Sequence, residues 1–352
     1  MIFNCLLYDD NSNFGYREYV RNLLFLFSNK NEKFLFRNSQ RNAIDIFLSE
    51  NNLFINCIFI DDRFWRLKLL VLPKILSNSG KIIVHTFNYG PIFYISRSIN
   101  ILVIHDLQYK HKPFHNSFLF KLQRFIFQNH HHKFYDEIIF ISSFSKYDYV
   151  LNFNLRNNLT VIPNYLPLSK YRPITKFEYF IDFNFILCVS GSKWYKRLDY
   201  LISEFEKFNV LLEKKSFKKY KLIIISNFKT ESKDVLIFNN ISQDQLNYLY
   251  STSSAVVIPS FFEGFCFPYV ESMIFNKKLF IYDMPISREI TNGYSDVEYF
   301  DFEDGELSNL IYSSLISGNL NQLQNFNSRN INIFCDSNFQ LNLYNQIFLK
   351  YI

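Results

Sequence analysis

The chain has 352 residues, of which 48% are hydrophobic, 19% aromatic and 20% charged. That excludes a disordered or fibrous polypeptide, and the length exceeds one ordinary core, so two domains of roughly 150 to 200 residues are expected. A net charge of +6 without a long Lys/Arg block argues against nucleic acid and leaves a nucleotide phosphate or an anionic lipid surface to answer the bias. Cys5, Cys57, Cys188, Cys266 and Cys335 are widely spaced, odd in number and without a CxxC pair; they read as reduced core thiols in a cytoplasmic setting.

Taken in chain order, Met1 to Leu7 carry no positive leader and run at once into Asp9-Asp10, which suits a first strand and not a signal peptide. Short apolar runs predict strands over 3–7, 53–60, 81–85, 101–105, 137–141 and 159–162, and helical periodicity predicts helices over 17–27, 43–50, 118–128 and 145–151. After Pro163 an irregular connector passes Pro167 and Pro173. A second series follows: strands over 185–190, 221–226, 235–239, 254–259 and 278–281, helices over 198–208, 243–250, 268–275 and 305–315. The alternation predicts an α/β protein with two Rossmann-like parallel sheets facing each other across a cleft, the usual place for a ligand. The boundaries expected are 1–170, 171–338, and a tail over 339–352 that Leu341, Leu343, Ile347 and Phe348 make a candidate helix. No apolar run reaches about 18 residues, so membrane association is expected to be peripheral at most.

The most informative stretch is Val257-Ile258-Pro259-Ser260-Phe261-Phe262-Glu263-Gly264-Phe265-Cys266-Phe267-Pro268-Tyr269-Val270-Glu271-Ser272-Met273. An apolar strand stops at a turn carrying one carboxylate, and the next helix carries a second. A helix start offers N–H groups to an anion, about Phe265 and Cys266, and a carboxylate accepts two O–H bonds from a vicinal diol. Spacing alone equally suits a turn cap and a solvated helix residue. The chain has only eight glycines, so Gly264 beside Glu263 points to a backbone role.

Pro259-Ser260, Glu263-Gly264-Phe265, Phe267-Pro268 and Glu271-Ser272-Met273 resemble the nucleotide-sugar signature of family 4 glycosyltransferases, which have the two-domain GT-B architecture and retain anomeric configuration. Asp283 to Ile290, Ser242 to Tyr250, Ile104-His105-Asp106-Leu107-Gln108 with Pro113, Ile141 to Lys146, and Val161 to Asn164 extend the resemblance over nearly the full chain. It implies an N-terminal acceptor-binding domain and a C-terminal domain for the nucleotide sugar. By that resemblance Glu263 reaches sugar hydroxyls, Glu271 holds the ribose, and His105 approaches the donor sugar. Asp106 then orients His105 or its loop, because in this family the leaving phosphate oxygen assists the acceptor and no dedicated base is needed.

Val189-Ser190-Gly191-Ser192-Lys193-Trp194-Tyr195-Lys196-Arg197 resembles the family's phosphate-binding turn, whose cations neutralise the diphosphate leaving group. Lys193 and Lys196 are the picks, with Arg197 able to share the role; an ordinary basic loop is the plain alternative. Asn13-Phe14-Gly15-Tyr16-Arg17 resembles the family's glycine-bearing first loop, where Gly15 lets backbone approach the donor phosphates. Tyr165 stands where the family commonly has Gly after Asn164. Ser142, Ser145 and Glu289 are plausible supports.

His111 with His115, and His130-His131-His132, lack a third ligand at metal-site spacing, so no metal and no cofactor beyond the donor substrate is expected. The stretch from Phe118 to Phe127 with Lys121 and Arg124 suits a helix packed on the first sheet, or one resting on an anionic membrane to receive a polyprenyl-linked acceptor. The resemblance thus implies a retaining hexosyltransferase or deoxyhexosyltransferase of cell-surface polysaccharide or lipopolysaccharide synthesis. Its donor tilts toward GDP-mannose, and its place is the cytoplasm or the inner face of the membrane. The alternatives are a sugar-nucleotide hydrolase or epimerase of the same architecture, and a non-catalytic sugar-binding or assembly subunit.

Overall fold

Runs such as Phe185–Val189 and Ala255–Ile258 are buried at every position. Strands apolar on both faces are stable only inside a parallel sheet covered by helices. The computed structural model describes residues 1–10, 14–63, 82–88, 98–111, 135–153, 158–174, 181–317 and 329–352. They divide into two units, Met1–Pro167 with Ile333–Ile352, and Leu168–Asn332.

The first unit holds strands β1 (Ile2–Asn4), β2 (Lys33–Arg37), β3 (Asn56–Ile60), β4 (Ile82–His85), β5 (Ile99–Ile104), β6 (Glu137–Phe140) and β7 (Leu159–Val161). They form one parallel sheet in the order β3-β2-β1-β4-β5-β6-β7. Helices α1 (Phe14–Leu26), α2 (Arg41–Glu50) and α3 (Ser143–Phe153) belong to it.

The second unit holds β8 (Phe185–Val189), α4 (Leu198–Lys214), β9 (Lys221–Ile225), β10 (Val235–Phe238), α5 (Gln243–Thr252), β11 (Ala255–Ile258), α6 (Phe267–Ile274), β12 (Leu279–Tyr282), α7 (Pro285–Ile290), β13 (Val297–Phe300) and α8 (Glu306–Tyr312). Its parallel sheet runs β10-β9-β8-β11-β12-β13. Each sheet is wound outward in two directions, so strand order reverses between β1 and β4 in one unit and between β8 and β11 in the other. In sheets of this kind the carboxyl ends of such a pair are where ligands bind.

The core follows the periodicity. On α4, Leu201, Phe205, Phe208 and Leu212 recur at helical spacing and pack on Ile186, Cys188, Leu222 and Ile224. Glu204 on the same helix is 1% exposed, yet its carboxylate accepts the N–H groups of Gly305 at 2.9 Å and Ser308 at 3.0 Å and a bond from Lys207 at 2.7 Å. A carboxylate on one helix thereby satisfies the positive N-terminus of another, α8.

Two further helices, α9 (Arg329–Cys335) and α10 (Ser337–Leu349), end the described chain. α10 starts on the Asp336 side chain, which accepts from the N–H groups of Asn338 and Phe339. Tyr344 packs against the rings of Phe3 and Phe27, and Lys350 reaches Glu137 at 3.2 Å. The tail is therefore part of the unit that contains the N-terminus.

Every strand expected from sequence is present, generally one to three residues shorter. Strands β2 and β13 and helices α7 and α9 go beyond those expectations. In a chain with 42 Phe, a short aromatic run such as Lys33–Arg37 does not stand out from its surroundings. The expected helix over 118–128, Pro113, His115 and His130 to His132 lie outside the described residues.

A buried polar ladder crosses the centre of the first sheet. Asn4 on β1 donates to His85 Nδ1 at 3.0 Å, and His85 Nε2 on β4 donates to Asn100 on β5 at 3.2 Å. These bonds require the neutral tautomer with its proton on Nε2. His85 is 0% exposed, and burial, only partly opposed by the Asn100 bond, pushes its pKa down to about 4. The unfolded chain binds this proton nearer pH 6.5. The stabilising contribution is thus complete above about 6.5 and is lost as pH falls toward 4, on the order of 3 kcal/mol in total. Urea midpoints should fall across this window in the wild type, and the decline should be shallower in His85→Gln.

Candidate active site

Because β8 and β11 are hydrogen-bonded neighbours, with Ala255 opposite Ile186 and Val256 opposite Leu187, the loops that leave them meet. The Phe261 N–H donates to the Tyr195 carbonyl at 3.0 Å, which ties the two loops together. Lys196 Nζ then donates to Glu263 Oε1 at 2.5 Å, across 67 positions of sequence. Both side chains are largely buried, at 16% and 11% exposure. Burial works against the lysine charge, but the Glu263 carboxylate beside it more than offsets this and holds the ammonium pKa above its usual value. The pair delivers a permanent cation and a carboxylate to one place.

Beside it α6 begins. Cys266 is its N-cap, no side chain caps it, and Pro268 falls within its first turn. A helix start left this way carries partial positive charge that favours an anion. Burial first, then the neighbouring Glu263, pushes the Cys266 thiol well above its usual pKa. The thiol is therefore a protonated, unreactive group. Phe265 is 2% exposed and Gly264 intermediate; the phenyl ring packs edge-on against Phe267 with centroids 5.4 Å apart.

The cationic loop divides its expected roles. Gly191 and Lys193 are exposed, and a Cβ built on Gly191 would meet no atom within 4 Å. The Arg197 guanidinium lies over the Phe302 ring at 4.7 Å, a cation–π contact. Trp194 and Phe261 stand together with ring centroids 5.0 Å apart.

Glu271 has different partners from Glu263. It is 6% exposed; Tyr171 donates to Oε1 at 3.0 Å and Tyr250 to Oε2 at 2.7 Å. Tyr171 does not figure among the residues expected from sequence, since nothing at a separation of 100 positions announces such a contact. Tyr250 does sit in the Ser242 to Tyr250 pattern, and that was its signal.

In the first unit, His105 and Gly15 come together through α1. The His105 ring lies edge-on to Tyr19 at 4.6 Å and Tyr16 at 5.7 Å, four and one residues past Gly15 on the same helix. Its Nε2 donates to the Thr86 carbonyl at 2.8 Å, so Nδ1 carries the acceptor lone pair. Burial, partly opposed by the Thr86 bond and Asp106, lowers its pKa. Asn88 accepts the His105 N–H at 2.6 Å, and Ser145 donates to its carbonyl at 3.0 Å. Asp106 accepts the Gln108 N–H at 3.1 Å and shapes the loop. Gly15 is exposed on the first turn of α1, where a Cβ would meet no atom within 4 Å.

Among the described residues no group of three His, Cys, Asp or Glu is arranged to hold a metal ion. His111 instead pairs with Asp148 at 2.7 Å. No helix among them is long and apolar enough to cross a membrane.

Residues 173–311 match the family model described as glycosyl transferases group 1. The match spans the Lys196 loop, the Glu263 turn and α6. A sequence search of curated proteins finds no match. Among solved structures, Anabaena HepE in complex with UDP-glucose superimposes with a TM-score of 0.70 at 11% identity, over 98% of each chain. Sucrose-phosphate synthase from Thermosynechococcus elongatus gives 0.69 at 13%, over 99% of each. The apo lipopolysaccharide outer core galactosyltransferase WaaB gives 0.62 at 15%, also over 99% of each. At these identities the likeness carries the fold, which is GT-B: two Rossmann-like α/β domains with parallel sheets. The family match and the fold together support a hexosyltransferase.

The start of α6 is strained. Cys266 has φ 67, ψ 86, a left-handed conformation that favours glycine. Replacing Cys266 with Gly should raise unfolding stability by about 1 kcal/mol, because it removes the Cβ clash. Cys266→Ala, which keeps the Cβ, should bring no such gain; thermal melting of the two variants checks this.

Proposed function

We propose that the chain is a retaining glycosyltransferase that moves a hexose or deoxyhexose from a nucleoside diphosphate sugar to a hydroxyl of a glycan or glycolipid. The observation that carries this reading is the buried Lys196–Glu263 pair beside the start of α6, within the matched region. A fixed ammonium and helix N–H groups suit a leaving diphosphate, and the carboxylate suits sugar hydroxyls.

In the reaction, the bond from the anomeric carbon to the diphosphate oxygen breaks and its electron pair leaves with the diphosphate. The acceptor oxygen bonds to the anomeric carbon on the same face, and its proton passes to the departing diphosphate oxygen. Lys196, aided by Lys193, stabilises the charge that develops there. His105, neutral and with Nδ1 as acceptor, takes a hydrogen bond from a sugar hydroxyl. Glu271 holds the nucleotide ribose. The second unit is the donor-binding domain and the first the acceptor-binding domain, and the reaction belongs to cell-surface polysaccharide synthesis at the cytoplasmic face of a membrane.

Two donors stand in front. The segment Ile104-His105-Asp106-Leu107-Gln108 favours GDP-mannose, and the structural likeness to HepE with UDP-glucose favours a UDP-hexose. Calorimetry with UDP, GDP, TDP and ADP sugars, followed by mass spectrometry of products on lipid-linked glycans, separates them. Glycan products with inverted configuration, or release of free sugar alone, would overturn the proposal. Lys196→Ala and Glu263→Ala should each lower transfer by about a hundredfold or more, and Lys193→Ala should weaken nucleoside diphosphate binding.

A further inference from the structure

We propose that Tyr171 and Tyr250 are positioning residues, which aim the Glu271 carboxylate at the vicinal ribose hydroxyls of a nucleoside diphosphate. The inference rests on the donor site described under the proposed function and deepens it.

The two tyrosines come from separate parts of the second unit, Tyr171 from the turn after residues Leu168–Lys170 and Tyr250 from α5. Each takes a different oxygen of one carboxylate, at 3.0 and 2.7 Å. Their rings share a frame. Phe275, just past the end of α6, stacks on Tyr250 with centroids 5.3 Å apart and planes 5° apart, and meets Tyr171 edge-on at 6.4 Å. Tyr250 is 0% and Tyr171 5% exposed, so neither hydroxyl can swing to solvent. Burial first, then the Glu271 charge, holds the Tyr250 pKa well above its usual value; that hydroxyl remains a donor and the carboxylate its acceptor.

The two tyrosine hydroxyls take one acceptor position on each oxygen of the carboxylate. One donor on each oxygen fixes the plane of the group, which a single contact leaves free to rotate. Glu271 lies four residues beyond Phe267, the first residue of α6, about 6 Å along the helix. That step is on the scale separating a nucleotide's diphosphate from its ribose. An anion at the helix start and a diol at Glu271 are thus registered by one rigid element.

Calorimetry of UDP, GDP and ADP, each against its 2′,3′-dideoxy counterpart, tests the inference on the wild type, Tyr171→Phe, Tyr250→Phe and Glu271→Gln. The wild type should prefer the ribonucleotide that it binds by about tenfold or more over the dideoxy form. Each Phe variant should lose several-fold for the ribonucleotide and nothing for the dideoxy form, and Glu271→Gln should shrink the preference. Equal losses for both ligands would mean that the tyrosines serve folding alone, and unchanged binding would mean that they do not position Glu271; either overturns the inference. A wild type indifferent to the ribose hydroxyls overturns it too. Lys196→Ala should weaken both ligand forms; if it weakens neither, or if no diphosphate binds the wild type, the donor-site reading itself fails and takes this inference with it.

Discussion

The pairing of β8 with β11 is the constraint on which the candidate site depends. These strands are separated by two others in sequence, β9 and β10, yet lie side by side because the sheet is wound in both directions from its centre. Two loops 67 positions apart are thereby forced into contact, and a lysine from one meets a glutamate from the other. Two charges at this burial persist only as a pair, since either alone would face the full cost of desolvation. The same winding in the first unit sets β1 beside β4 and gathers Tyr16, Thr86 and His105.

The chain achieves sharp turns with few glycines. Eight described non-glycine residues have positive φ, and five of them are Asn, whose short side chain tolerates that conformation. Two of the remaining three, Arg197 and Cys266, precede α4 and α6 at the candidate site. Strained backbone at the start of the helices that border the candidate site is the pattern expected where geometry serves binding more than stability.

Histidine chemistry shows how little a residue type says alone. His85 is sealed in a ladder between Asn4 and Asn100, while His105 stands at a strand end with its ring held by Thr86 and two tyrosines. Burial depresses both, but for His85 both ring nitrogens are consumed by the ladder, whereas for His105 the Thr86 bond sets the tautomer and turns Nδ1 into an acceptor. Nothing in the local sequence of Ile82–His85 marks the first as structural.

The alternation of apolar runs with helical periods was enough to establish an α/β protein of two parallel sheets, because strands buried on both faces leave a continuous hydrophobic signature. Local motifs likewise singled out Lys196, Glu263 and Glu271, since a turn between strand and helix constrains which residues can stand there. What only tertiary structure decided is who meets whom. Sequence marked Arg197 without the Phe302 ring it packs on, named Glu271 without its contacts to Tyr171 and Tyr250, and left the last residues as a separate tail, where Tyr344 binds them to Phe3 and Phe27. Each of these contacts joins positions far apart in the chain, and a contact of that kind is specified by the strand order and the packing of side chains in three dimensions, on which no single stretch of residues carries a signal.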